Sequence, residues 1–512
     1  MTKATMQDTG LPVIQASDIE TSSLTLEADA VIVGSGAGGA VTAYELARRG
    51  MKVVVLEAGP YVPSRQFTER FADSLETLYQ DHGAQTNSSG DLLVLQGACV
   101  GGSTVVNGCV CFRTPDFILS DWQQRFGLSE LTPQSLAPYF ERVEKNLSIH
   151  ENAEFEIARH GQLIRAGAHK LGWSVKPLRR NIRQCALTGH CLSGCKSDRK
   201  QSMLVTYLPW AAALGASIYA DTRVERVLTS DGKASGVEAE VVAHDGSIVA
   251  HMRVTAPRVI LAAGAVQTPL LLKKSQLANR SGQVGRNFAC HPSLYVPARY
   301  PEPVHAWRGA LLGVYIDEFM HPEQGGFIIE DGGAGPVEIT MAAEPGSGAP
   351  FMDYMAHAPY MSGLVTLIHD HNVGVIDWDG DRKQIDYQLA DVDFPSMKRA
   401  LKAAARLHLA AGAIEVYVPS SDRRIICSEA DIDGLVDSLE NQPQHLRMVS
   451  YHPQGSCRMG ADPDTSVVDS DGQSHDVPGL YVADASLLPT SIIVNPQLTV
   501  YALASRIAER IA

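Results

Sequence analysis

The chain has 512 residues and a mass of 55.1 kDa, more than one hydrophobic core usually organises, so two or more domains or one large domain with a long insertion are expected, and a small binding module is excluded. Apolar residues make up 45% of it and charged residues only 20%, which supports a sizeable core and excludes a disordered chain. With 43 Lys and Arg against 57 Asp and Glu the net charge is −14, and no basic stripe offsets it locally, so nucleic acid is not an expected partner.

The first thirty residues hold no uninterrupted apolar core of a signal peptide, and no run of about 18 apolar residues occurs, so no integral membrane segment is expected and a cytoplasmic location is the default. Nine cysteines, an odd number, fit a reducing compartment.

In chain order, residues 28–33 read Ala-Asp-Ala-Val-Ile-Val, a short apolar run that suits a buried parallel strand. The run ends in Gly34-Ser-Gly36-Ala-Gly-Gly39, followed by small and apolar residues at helical spacing up to Arg48, Arg49 and a capping Gly50. A second strand, Lys52 to Leu56, delivers Glu57, 23 residues after the first glycine. This combination has a mechanism: Gly34 permits a tight turn, Gly36 lets the backbone approach a pyrophosphate, Gly39 allows close helix–strand packing, and Glu57 accepts from ribose hydroxyls. It leaves NAD and FAD equally open.

A second glycine-rich stretch runs from Gly97 through Gly101-Gly102-Ser103 to Asn107. Cys185, Cys191 and Cys195 then fall close together, with His190 between them. Thiolates at this density can hold zinc or an iron–sulfur cluster, and they also read as packed or incidental thiols. From Ser217 to Gly264 strands alternate with turns such as Ser230-Asp-Gly-Lys, the mark of a hairpin meander that ends in Val259-Ile-Leu-Ala-Ala263-Gly264. Between residues 296 and 449, Val373 to Asp377 and Gln384 to Leu389 read as paired strands, and Phe394 to Gly412 and Ser428 to Asn441 as helices. The stretch from Met320 to Leu364, which includes Phe327, Met341, Met352, Tyr354, Met355, Tyr360 and Met361, suits an adaptable apolar pocket, although such residues are more often core. Glu330, Asp331, Glu338, Glu344 and Asp353 lie in the same stretch and read most simply as a solvated acidic face. Near the C-terminus come His452-Pro-Gln-Gly455-Ser-Cys-Arg458-Met-Gly460, then Gly479-Leu-Tyr-Val-Ala-Asp484-Ala485, and Asn495-Pro496.

In order and spacing these motifs resemble the glucose-methanol-choline (GMC) family of FAD-dependent oxidoreductases, from about Ala28 to Ala512. The resemblance decides for FAD, and implies a fold in which a discontinuous Rossmann-like α/β domain (residues 28–110, 217–295 and 450–512) carries an inserted α+β substrate domain (296–449) of antiparallel sheet and helices. Residues 111–216 form a connecting region with the cysteines. It implies that Gly34, Gly36, Gly39 and Glu57 hold the ADP half of FAD. Gly101, Gly102, Ser103 and Asn107 lie along the pyrophosphate and flavin, Val224 meets adenine, and Ala263 and Gly264 lie on the returning strand. Asp484 and Ala485 sit near the pyrophosphate and ribityl chain, and Pro496 also touches the cofactor.

It further implies oxidation of an alcohol to an aldehyde or ketone by hydride transfer to flavin N5, with His452 as the base and Asn495 orienting the substrate oxygen. Imidazole titrates near working pH, whereas an amide can only position or stabilise charge. His291, in Gly285-Arg-Asn-Phe-Ala-Cys-His, is expected to be structural.

The C-x5-C-x3-C spacing is similar to GMC dehydrogenases that pass electrons through a three-iron four-sulfur cluster to a partner chain. The region running on from Lys200 also resembles the long-chain alcohol oxidase branch, where no cluster is expected. The substrate is then a small-molecule alcohol, bulky or long-chain, with oxygen or another acceptor reoxidising the flavin. The flavoprotein subunit of an iron–sulfur dehydrogenase complex and a non-redox lyase that keeps FAD without using it are the competing readings.

Overall fold

The computed structural model describes residues 10–342, 347–371, 373–380, 382–443 and 445–511, without the side chains of 341 and 342, so the Met341 side chain, Glu344 and Ala512 lie outside what is described. Two sheets face each other. The first is a six-stranded, wholly parallel sheet in the order Val13–Ile14, Ser217–Tyr219, Val53–Leu56, Ala30–Val33, Val259–Leu261, Leu480–Val482. The central strands Ala30–Val33, Val53–Leu56 and Val259–Leu261 are buried along their whole length. That is why they read as unbroken apolar runs rather than as alternating ones.

Between the first two strands of the nucleotide motif, the chain turns at Gly34, whose φ of 97° is unfavourable for any residue with a Cβ, and runs into the helix Ala37–Ala47. A Cβ at Gly39 would lie 1.9 Å from the Gly34 carbonyl oxygen, so this position sets the helix-to-strand distance. The C-terminal helix Gln497–Ile511 packs beside Ala37–Ala47 on the same side of the sheet.

The meander is Thr222–Ser230, Lys233–Val242 and Ile248–Thr255, all antiparallel. Its first turn is the expected Asp231-Gly232 pair, both at positive φ, the geometry a two-residue hairpin turn requires. Ser23–Glu27 joins this sheet in parallel to Ile248–Thr255.

The second large sheet has nine strands. Its middle, Ser293–Arg299, Met361–Ile368 and Phe327–Gly332, is antiparallel and almost completely buried. Val175–Pro177 and Val314–Ile316 extend one side, Glu415–Tyr417 and Ile425–Ile426 the other, and Leu92–Val94 and Met448–Ser450 also attach to it. Helices Arg159–Leu171 and Phe394–Ala410 cover one face. The opposite face carries the cross-strand row Tyr295, Val365, Glu330, which alternation along the strands points toward the parallel sheet. Val375–Trp378 and Lys383–Asp386 form the expected separate hairpin.

The acidic stretch corrects one expectation. Glu330 and Asp331 are 2% and 0% exposed, not a solvated face. They occupy adjacent positions of a central strand, so they point to opposite faces: Asp331 Oδ1 accepts from the Gly313 and Val314 amides, while Glu330 faces the space between the sheets.

Candidate active site

A cavity of about 590 Å³ lies between the two sheets, within the size range of small-molecule and cofactor sites. Gly34, Gly36, Glu57, Gly102, Ser103, Asn107, Val224, Ala263, Gly264, Asp484, Ala485 and Pro496 line it, and so do His452 and Asn495 at its other end. Gly39 and Gly101 do not. Gly39 packs behind the wall, and Gly101, at φ 96°, shapes the turn with its amide donating to Ser35 Oγ at 2.9 Å, so both act through the backbone they allow.

Ser35 joins the two glycine-rich loops to the acid. Its hydroxyl donates to Glu57 Oε2 at 2.6 Å and its amide to the same oxygen at 2.9 Å, while the Gly59 amide donates to Oε1 at 3.0 Å. Burial raises the Glu57 pKa and these hydrogen bonds oppose the rise. Asp484 is held likewise: it accepts from the Gly264 amide (2.8 Å), Thr268 Oγ1 (2.6 Å) and the Ser486 amide (2.8 Å), against a burial that raises its pKa. It therefore caps two helix starts and faces the cavity as well.

The residues present fit FAD. The helix Ala37–Ala47 begins at Gly36 with no side-chain cap, so its first amides open onto the cavity, a ready anion site for a pyrophosphate. A Cβ placed on Gly36 would meet nothing nearer than 3.8 Å, the Gly102 Cα, so the space above it is free. Glu57 lines the cavity as well, and Asn107, whose Nδ2 donates to Gln497 Oε1 at 2.8 Å, ties the second glycine-rich loop to the last helix beside Pro496.

At the far end, His452 follows the strand Met448–Ser450 and Asn495 follows Ile493, a β-branched residue at φ 62°. Cys109 (68°) and His291 (46°), also near this end, have positive φ as well. Such conformations cost roughly 1–3 kcal/mol each and are tolerated where the surroundings hold side chains in a required place. His452 Nε2 is 3.3 Å from Asn495 Nδ2, and His452 Nδ1 is 3.2 Å from His291 Nδ1. Burial pushes His452 down to about 3 and holds His291 well below the ordinary imidazole range, so both rings are neutral near pH 7.

The pocket's apolar surface differs from the expectation. None of Met320, Phe327, Met352, Tyr354, Met355, Tyr360, Met361 or Leu364 lines the cavity. Leu311, Leu312, Tyr295, Val365, Leu367 and Tyr451 do, because cross-strand alternation rather than composition decides which side chains face it.

The cysteines require a second correction. Cys185, Cys191 and Cys195 line one small cavity of about 20 Å³, and Cys109, not suspected from its spacing, lines it too, its thiol hydrogen-bonded to that of Cys191. Among the described residues no three His, Cys, Asp or Glu side chains are placed to share a metal ion, and this space does not fit a three-iron cluster. What organises the region is Lys200, 2% exposed, whose Nζ donates to the Val105, Asn107 and Cys191 carbonyls at 2.6, 3.0 and 2.8 Å. Lys200→Met leaves three buried acceptors without a partner and is expected to cost at least about 3 kcal/mol, read as a lower thermal midpoint beside the wild type.

Family models described as GMC oxidoreductase match residues 75–293 and 359–504, and a model described as an NAD(P)-binding Rossmann-like domain matches residues 32–93. An uncharacterized GMC-type oxidoreductase of Mycobacterium tuberculosis (strain ATCC 25618 / H37Rv) is 34% identical over 99% of this chain and 79% of its own. The long-chain-alcohol oxidase FAO3 of Arabidopsis thaliana is 30% identical over 97% of this chain and 69% of its own. Among solved structures, pyridoxine 4-oxidase from Mesorbium loti superposes with a TM-score of 0.71 at 21% identity, covering 94% of this chain and 98% of that one, a likeness of fold. No helix among the described residues is long and apolar enough to cross a membrane. The nucleotide cradle, the paired imidazole and amide and these matches place the chain in the GMC oxidoreductase family, FAD-dependent oxidoreductases acting on CH–OH donors.

Proposed function

We propose that this protein oxidises a bulky or long-chain alcohol to the aldehyde or ketone, with oxygen as the acceptor. The observation that carries this reading is that a single cavity joins the Gly36 and Glu57 cradle to His452 and Asn495, so a cofactor held at one end reaches a substrate held at the other. FAD, when bound, supplies the two-electron acceptor. The chain's own part is to hold the ADP half through Gly36, Glu57 and Asp484, and to hold the alcohol oxygen between His452 Nε2 and Asn495. Family precedent gives His452 the hydroxyl proton as well.

The substrate class rests on the apolar wall of Leu311, Leu312, Val365 and Leu367, together with the name of the Arabidopsis relative. Anaerobic mixing of the purified flavoprotein with primary alcohols of increasing chain length tests it. Bleaching of the flavin that becomes faster with chain length, followed by reoxidation in air with release of hydrogen peroxide, is the expected result. A flavin that no alcohol bleaches points instead to a non-redox lyase.

A further inference from the structure

Two cations lie buried beside the cysteines with no carboxylate in contact. The Lys200 ammonium meets only backbone carbonyls. Arg180 is 0% exposed; its Nε donates to Asn152 Oδ1, and neither Nη1 nor Nη2 of the guanidinium has a hydrogen-bond partner. A buried charge without a counter-charge is costly, so the region calls for an anion. Cys109 and Cys191 are thiols on which both cations act. The hydrogen bond from Cys109 first, and then Lys200 and Arg180, hold the Cys191 thiol below the ordinary range against the opposing effect of burial, while the same hydrogen bond and burial hold Cys109 above it.

The neighbouring thiols are engaged elsewhere. Cys195 Sγ accepts from the Lys200 amide at 3.4 Å and lies 3.5 Å from Ser197 Oγ. Cys111 Sγ faces the Cys109 carbonyl at 3.4 Å and Asn181 Oδ1 at 3.7 Å. Burial raises Cys185 and so keeps it as the thiol. Cys109 and Cys191, by contrast, meet sulfur to sulfur across the small cavity of about 20 Å³, which has room for a molecule little larger than water. Cys191 is half-buried, and the exposed Ser197 and Arg199 line the same cavity, so it is approached from solvent. Cys109 and Leu192, on the other side, line the cofactor cavity.

We propose that Cys191 and Cys109 are a modification site for hydrogen peroxide, Cys191 the attacking thiolate and Cys109 the thiol that closes a disulfide on it. In the first step the Cys191 sulfur forms a bond to one peroxide oxygen and the O–O bond breaks. The sulfur is oxidised to the sulfenic acid, and the other oxygen leaves as hydroxide, which takes the Cys109 proton. In the second step Cys109 attacks the Cys191 sulfur, the S–S bond forms, the S–O bond breaks and hydroxide leaves. Overall two thiols and one peroxide become one disulfide and two waters. The source of the peroxide in turnover rests on the oxygen-accepting reading above; the chemistry of the pair does not.

The disulfide would join two segments of the cofactor-cavity wall, Asn107 to Val110 and the turn at Cys191 to Ser193, which Lys200 already holds together through the Asn107 and Cys191 carbonyls. It also closes a long loop in the unfolded chain, so oxidation raises the thermal midpoint.

The test treats the holoprotein with stoichiometric hydrogen peroxide in the absence of alcohol, alkylates the free thiols and maps the peptides by mass spectrometry. The expected result is a linked pair of peptides containing Cys109 and Cys191, released by dithiothreitol, while the exposed Cys427 is still alkylated as a free thiol. Cys109→Ser is expected to stop at the Cys191 sulfenic acid, captured with dimedone. Cys191→Ser loses both the link and the adduct, and Cys185→Ser and Cys195→Ser keep the link. Peroxide raises the thermal midpoint of the wild type and leaves that of the Cys109→Ser, Cys191→Ser double variant unmoved. Oxidation of Cys427 ahead of the pair, a link from Cys191 to Cys185 or Cys195, or iron and sulfide held by Cys191 in anaerobically purified protein overturns the assignment. A parallel sample receives an alcohol in air instead of peroxide. A link that forms with added peroxide but not during turnover upholds the pair and overturns the oxygen-accepting reading, so the two failures are distinct.

Discussion

Replacing His452 with alanine is expected to leave the flavin bound and to slow its reduction by an alcohol by about 10²–10⁴-fold. Binding survives because His452 touches none of the groups in the nucleotide cradle: its polar contacts are His291, Asn495, the Ser450 hydroxyl, which accepts from its amide, and Gln454 Nε2, which donates to its carbonyl. Reduction suffers whichever part the imidazole plays, since the oxygen loses its partner at Nε2. His452→Gln separates the two parts. An amide N–H can hold a developing alkoxide but an amide does not take a proton near pH 7. Partial recovery of the rate in His452→Gln relative to His452→Ala means that Nε2 acts as a donor. Equal loss in both variants means that Nε2 acts as the base. Flavin reduction by His452→Ala at close to the wild-type rate would remove His452 from the mechanism altogether.

The parts of the molecule legible from sequence are those whose signal is local. Gly34 to Glu57 announces itself because strand, turn, helix and acid follow one another within one βαβ unit. Asp231-Gly232 announces a hairpin because two residues decide it. His452 is singled out by the Gly455, Arg458, Met459 and Gly460 that follow it, and Asn495 by Pro496 and Thr499, not by any property of an imidazole or an amide alone.

What stayed hidden depends on partners distant in the chain. The His291 ring is held by the Ile492 amide, 201 residues away, and no spacing rule reaches that far. Glu330 and Asp331 look alike as neighbours in sequence. Which one faces the cavity follows from strand register, and a shift of one residue would exchange them. For two such neighbours a solvated surface is the default, since burying a carboxyl is costly. Its failure is informative, because a carboxyl buried in a cavity wall is where local preference has been overridden. Cys109 reaches the thiols at 185, 191 and 195 only through tertiary packing, and Ser23–Glu27 joins the meander from outside the Rossmann motif through a strand too short and too exposed to announce itself.

Gly36→Val is the second substitution expected to have a large effect, and it bears on the cofactor rather than on the chemistry. Gly36 has φ −71°, outside the left-handed region that favours glycine, and a Cβ there meets nothing within ordinary contact of the protein except the Gly102 Cα at 3.8 Å. The chain should therefore fold. Gly39 contrasts with it: a Cβ 1.9 Å from the Gly34 carbonyl would force the helix off the sheet, and loss of flavin in such a variant would say nothing about the site. At Gly36 the added methyls project over the uncapped start of the helix, where the pyrophosphate needs the bare backbone. The purified Gly36→Val protein is expected to be colourless and to retain the wild-type far-ultraviolet circular dichroism. Its thermal midpoint should be lower than that of the holoprotein and unmoved by added FAD, because a ligand stabilises only the fold that binds it. A yellow Gly36→Val protein with a full complement of flavin would show that the pyrophosphate lies elsewhere, and the alignment of the cavity from Glu57 to His452 would have to be redrawn.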